Sequence, residues 1–129
     1  MDEPMSDQLP SIESAIGRSA CRMAEDLHAA AIVAGTASGS TARLVAKFRP
    51  PCPVLGLTPN LRTERQLNLT WGVIPALVAP FSETDEIFEL ARFWALEHRI
   101  AQPGDRLVVT AGAAGKPGTT DLLKVIEIE

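Results

Sequence analysis

Tyrosine is absent from this sequence, and phenylalanine and tryptophan together supply only 5% of its 129 residues. A core must therefore be assembled from alanine, valine, isoleucine and leucine, the usual filling of layered α/β domains. Cysteine is scarce: Cys21 and Cys52 have no metal-ligand spacing and read as buried thiols in a reducing compartment. No apolar run is long enough to span a bilayer, so no membrane contact is expected. Residues 1–10 are polar and acidic, without the basic start and apolar centre of a signal peptide. They read as a flexible leader to one domain at 11–129, and the expected location is cytoplasmic. A net charge of −4 argues against a nucleic-acid partner. Neither G-x-x-x-x-G-K-[ST] nor G-x-G-x-x-G occurs, so no motif supports a nucleoside triphosphate or a dinucleotide. Spacing suggests no Ser/His/Asp or Cys/His arrangement; no catalytic residue, metal or cofactor is assigned.

What the sequence does contain is organised around Thr36-Ala37-Ser38-Gly39-Ser40-Thr41-Ala42-Arg43. Before it, residues 30–34 form a continuous apolar run, the pattern of a strand buried on both faces of a parallel sheet. After it, Leu44, Val45 and Phe48 recur at helical spacing, with Arg43, Lys47 and Arg49 on the solvated side. A helix opening at Gly39 or Ser40 leaves its first amides without carbonyl partners and places partial positive charge there, an invitation to an anion. Thr36, Ser38, Ser40 and Thr41 add hydroxyls, and Gly39 permits close approach of the backbone. The same residues also suit an ordinary N-cap and turn.

Taken in order, the pattern predicts a helix from Ile12 to Leu27 capped by Ser11, with Ile12, Ala15, Ile16, Met23 and Leu27 as its apolar stripe. A helix after the hydroxyl turn runs to about Arg49, where Pro50 and Pro51 stop it. Strands follow at 53–58 and 72–78, separated by a short helix that a Thr58-Pro59-Asn60 turn caps; Pro75 makes the later strand an edge. Ser82 opens the longest helix, with His98 and Arg99 in its last turn. A strand at 106–111, a glycine-rich loop at 112–120 and a last strand at 122–128 complete the chain. That loop has no room for a crossover helix, so the last two strands pair antiparallel. The expected fold is a mixed five-stranded sheet of order 3-2-1-4-5 with helices on both faces. Its switch point, between strands one and four, brings the 36–41 turn and the 112–120 loop together.

The run from Thr36 to Pro50 resembles the T-x-S-G-x-[ST]-A…[VA]-[AS]-[KR]-[YF]-R-P signature of the pyruvate kinase C-terminal domain. The likeness continues through Pro53 to Asn60, Arg65-Gln66, Gly72-Val73-Ile74-Pro75, Gly104-Asp105, Thr110-Ala111-Gly112 and Pro117-Gly118-Thr119-Thr120, covering nearly all of 11–129. The resemblance implies a three-layer α/β/α sandwich that lacks the catalytic barrel and is no enzyme on its own. It implies a domain serving as the allosteric and subunit-contact module of pyruvate kinase, a glycolytic phosphotransferase. By motif, Thr36, Ser38, Gly39, Ser40 and Thr41 would hold an effector phosphate, with Lys116, Gly118 and Thr119 across from them. The implied partners are phosphate or a sugar monophosphate, and a second copy of the chain or a barrel domain.

Departures qualify the effector. Relatives activated by fructose bisphosphate commonly have arginine where Ser40 stands, and the tryptophan and arginine they use beyond the third strand fall near Pro80 and Ile87 here. A second phosphate would be poorly neutralised. The expectation is a monophosphate, inorganic phosphate or sulfate, or an effector site that has decayed. A small stand-alone enzyme acting on a phosphorylated metabolite is the alternative. Among other candidates, His28 and His98 read as helix-end residues, Trp71 and Trp94 as core or interface anchors, and Asp105 and Asp121 as turn formers.

Overall fold

The computed structural model describes residue 9 and residues 11–81, 84–112 and 120–129. Apart from Leu9, the expected leader lies outside the described residues, as do Ser82 and the loop residues Lys116, Gly118 and Thr119.

The elements follow in the order α1 (Ile12–Leu27), β1 (Ala31–Gly35), α2 (Ser40–Lys47), β2 (Val54–Thr58), α3 (Leu61–Leu67), β3 (Val73–Leu77), α4 (Thr84–Glu97), β4 (Arg106–Gly112) and β5 (Thr120–Glu127). They build a five-stranded sheet of order β3-β2-β1-β4-β5. Its pairings are parallel except β4 with β5, which is antiparallel. Strands β1 and β2 are buried along their whole length, as their unbroken apolar runs require. Pro75 sits in β3, at the edge, where a missing N–H interrupts no inner ladder.

Alternation along β1 sorts the layers. Ile32 and Ala34 pack with Ala20 and Ala24 of α1, Ala42 and Val45 of α2 and Leu67 of α3. Ala31 and Val33 pack instead with Ile87, Ala91 and Ala95 of α4. The chain changes face between β3 and β4, and that change makes the junction of β1 and β4 the switch point.

Two expectations need correction, one on the face of α1 and one at the end of α4. The buried side of α1 is Gly17, Ala20 and Ala24, whereas Ile12, placed in the apolar stripe, is 68% exposed. Small residues win this face because α1 lies close against α2: a Cβ on Gly17 would come within 3.3 Å of Phe48 Cε2 and 3.5 Å of Leu44 Cγ. Of the two tryptophans read as core or interface anchors, Trp71 lies outside the core at 83% exposure, while Trp94, on α4, is partly buried against the core beneath that helix. His98 and Arg99 fall just past the end of α4 at Glu97 rather than in its last turn. Both thiols are free, partly buried and packed against the α1–α2–α3 core.

Candidate anion site

The turn between β1 and α2 is closed from inside. The Thr36 amide extends the sheet by donating to Leu57 O at 2.9 Å, and its side chain, buried at 4% exposure, turns back to accept the Gly39 amide at 2.8 Å. Gly39 has φ +90° and ψ −6°, a conformation in which a side chain is strained. It caps α2, whose ladder starts with the Arg43 amide bonded to Gly39 O at 3.0 Å. Ser38 Oγ accepts the Ser40 amide at 3.3 Å and donates to Ser40 Oγ at 3.2 Å. Arg43 reaches back along the helix, and its Nη2 donates to Ser38 O at 3.1 Å. Its guanidinium is thereby held beside the hydroxyls.

Two threonines outside the turn fix it to the rest of the fold. Thr63 Oγ1 donates to Ala37 O at 2.9 Å and Thr58 Oγ1 donates to the same oxygen at 3.3 Å. Both side chains are buried, one on α3 and one at the end of β2. Asn60 sets the position of Thr63 by capping α3, its side-chain oxygen accepting the amides of Arg62 and Thr63 at 2.9 and 3.2 Å. Neither threonine was singled out from the sequence as part of the site. Thr58 carried a turn signal, but Thr63 has no local pattern that would announce a contact 26 residues away.

The turn brings together Thr36, Ser38, Gly39, Ser40 and Thr41, with Thr36 and Thr41 buried. The stems of the glycine-rich loop reach the same end of the sheet. Thr110 pairs with Ala34, and Gly112 pairs with Thr120 in the hairpin. A Cβ on Gly35 would lie 3.7 Å from Ala111 Cβ. Thr110 Oγ1, on the face of β4 opposite Val109 and Ala111, is fully buried and has no hydrogen-bond partner among the described residues. The described residues contain no cluster of three or more His, Cys, Asp or Glu suited to a metal ion. His28 is an exposed residue in left-handed conformation after α1, and His98 rests near the Trp94 ring at 5.3 Å. Asp105 accepts the Gln102 amide at 3.0 Å and is a turn former.

A doubly wound sheet with a helix-opening hydroxyl turn at its switch point defines an α/β domain of the kind that takes small ligands outside the carboxyl ends of its strands. Comparison with known sequences makes the class specific. The chain belongs to the family described as "Pyruvate kinase, alpha/beta domain", whose profile matches residues 14–126. It is 47% identical over 116 residues to pyruvate kinase 2 of Synechocystis sp., a match covering 89% of the chain and 20% of that relative. It is 39% identical over 128 residues to pyruvate kinase of Clostridium acetobutylicum, covering 98% of the chain and 27% of the relative. It is 44% identical over 115 residues to the Bacillus licheniformis enzyme. The chain thus spans between 20% and 27% of the length of these relatives.

Proposed function

We propose that this domain is a regulatory and assembly module of pyruvate kinase type, and that it binds one phosphate, free or on a sugar, at the 36–41 turn. The observation that carries the reading is the start of α2: helix amides, the Ser38 and Ser40 hydroxyls and the Arg43 guanidinium are gathered on one turn. Thr41 and Gly39 belong to the same cradle, and Thr36 shapes it through the Gly39 amide. Lys116, Gly118 and Thr119, outside the described residues, would lie across from the turn, as the resemblance implies; the stems of the connection that carries them stand at this end of the sheet.

In this reading the domain supplies no group to phosphoryl transfer, which belongs to the remainder of a pyruvate kinase chain. Its contact partners are a second copy or that remainder, and its free thiols suit the cytoplasm. The test is a calorimetric titration of the chain with inorganic phosphate, a hexose 6-phosphate and fructose 1,6-bisphosphate. The monophosphate should bind saturably without turnover, Ser38→Ala with Ser40→Ala should weaken it at least tenfold, and the second phosphate should add less than threefold. Absence of saturable binding overturns the effector site. Turnover of the sugar phosphate would favour a stand-alone enzyme, and a strict monomer by light scattering at high concentration would count against assembly of copies.

A further inference from the structure

The two thiols have no part in the anion turn, yet the fold carries them to one seam. Helices α1 and α2 each precede a strand of the parallel pair β1 and β2, so they descend the same face of the sheet in the same sense. They touch where Gly17 meets Leu44 and Phe48. Cys21 lies one helical turn beyond Gly17, and its Sγ donates to Val45 O at 3.6 Å. Cys52 lies four residues beyond Phe48, on the connection that leaves α2 and enters β2. The Ile32 backbone lies within hydrogen-bonding reach of its sulfur, and Ile32 packs in the same core as Ala20 and Ala24, the neighbours of Cys21 on α1.

The two sulfurs differ in access. Cys52 lines a groove of about 390 Å³ beside Pro50, Pro51, Pro53 and Trp71, whereas Cys21 is not among the residues that line it. A small oxidant entering by this groove reaches Cys52 first. They differ also in freedom: Cys21 is held within a 16-residue helix, while Cys52 stands outside any helix or strand. Such a connection can make the small adjustment that disulfide geometry demands. Burial, and for Cys21 the neighbouring Cys52 as well, pushes both thiols up, Cys21 to about 11, so thiolate is scarce at neutral pH and the pair stays reduced unless peroxide is sustained. The chain has no third cysteine to compete.

We propose that Cys21 and Cys52 form a two-electron oxidation site, at which a small hydroperoxide entering the groove converts the pair to an intramolecular disulfide that ties α1 to the entrance of β2. The Cys52 thiolate attacks a peroxide oxygen, the O–O bond breaks and water leaves, giving a sulfenic acid. The Cys21 thiolate then attacks that sulfur; the S–S bond forms, the S–O bond breaks, and the hydroxyl leaves with a proton as a second water. Two thiols lose two electrons and one hydrogen peroxide gains them. The closed loop contains β1, the 36–41 turn and α2, and the inference stands whether or not that turn binds an anion.

The test treats the dilute chain with a few equivalents of hydrogen peroxide and follows intact mass, thiol titre in denaturant and a non-reducing peptide map. Mass should fall by about 2 Da, both thiols should be lost together, and Cys21 should be joined to Cys52 within one chain, all reversed by dithiothreitol. The oxidised chain should unfold at a urea midpoint higher by about 1 M. Cys21→Ser should halt at a Cys52 sulfenic acid that dimedone traps, whereas Cys52→Ser should leave Cys21 reacting about tenfold more slowly than Cys52 does. Should either variant fail to fold, the peptide map and midpoint of the unsubstituted chain decide alone. The proposal is overturned by oxygen added to the thiols without a bridge, by a bridge between chains, by Cys21 reacting first, or by a midpoint that does not rise.

Discussion

Replacing Gly39 with alanine puts a methyl group where the structure has no room for one. The new Cβ would stand 2.6 Å from Arg43 Nη1 and 3.2 Å from Thr63 Cγ2, on a backbone held at φ +90°. Backbone strain of a side chain in this region costs about 1–2 kcal/mol, reduced by about 0.5 kcal/mol because alanine restricts the unfolded chain. Arg43 is flexible and would move, giving up its bond to Ser38 O, a loss of about 0.5–1.5 kcal/mol. Displacing Thr63 disturbs its bond to Ala37 O by a similar amount. The expected destabilisation is about 2–3 kcal/mol on these terms. Gly72 and Gly104 provide the control, since their φ values of +84° and +98° are comparable but nothing lies within 4 Å of an added Cβ. Alanine at either should cost about 1 kcal/mol, from strain alone. Urea unfolding of the three variants, compared at equal slope, measures the difference. If Gly39→Ala costs no more than Gly72→Ala and Gly104→Ala, the crowding attributed to Arg43 and Thr63 is wrong.

Thr63→Val keeps the shape of the side chain and removes its hydroxyl, leaving Ala37 O to the longer Thr58 bond; stability should fall by about 1 kcal/mol and phosphate affinity severalfold, read by melting and by titration. Burial, with a smaller contribution from Cys52, pushes the Cys21 thiol from 9.0 up to about 11. Iodoacetamide at pH 7.5 should therefore modify native Cys21 about 100-fold more slowly than in urea, because each unit is a tenfold loss of thiolate. Equal rates by mass spectrometry would refute it. The same shift has a sign for stability: between pH 9 and about 11 the unfolded chain has lost the proton that the folded chain retains, so stability contributed by Cys21 falls as pH rises through that window. His28→Gly places glycine at an exposed left-handed position with φ +51°, and unfolding should show a gain of about 0.5 kcal/mol, strain relief exceeding the added freedom of the unfolded chain.

The sheet was legible because its signals are strong and local. Unbroken runs such as Val54 to Thr58 can only be buried, Pro75 demands an edge, and a connection too short for a helix forces β4 and β5 antiparallel. The phase of α1 was not legible. Gly17, Ala20 and Ala24 carry little hydrophobic signal, yet close packing against Leu44 and Phe48 selects them over Ile12. The hydroxyl turn between β1 and α2 was readable from its hydroxyls and glycine. Its fastening was not, because Thr58 and Thr63 act on Ala37 through contacts that exist only once β2 and α3 are docked.

On the proposed effector reading, the charge a ligand could carry at the turn is limited by how α4 packs. Gly35 ends β1 without a side chain, and Ile87 fills the space, its Cδ1 only 3.2 Å from where a Cβ would stand. Ile87 is 2% exposed and belongs to the core that joins α4 to β1, β2 and β4. The first turns of α4 are therefore committed to closing the sheet. A charged side chain at Ile87 would have to be buried unpaired, a cost far above what a solvated ligand phosphate could return. Arg43 is the cation that the described residues hold on the turn. In the proposed site, one guanidinium and a helix start would match one phosphate, and the packing that makes the sheet continuous at Gly35 is the same packing that would leave a second phosphate without a partner.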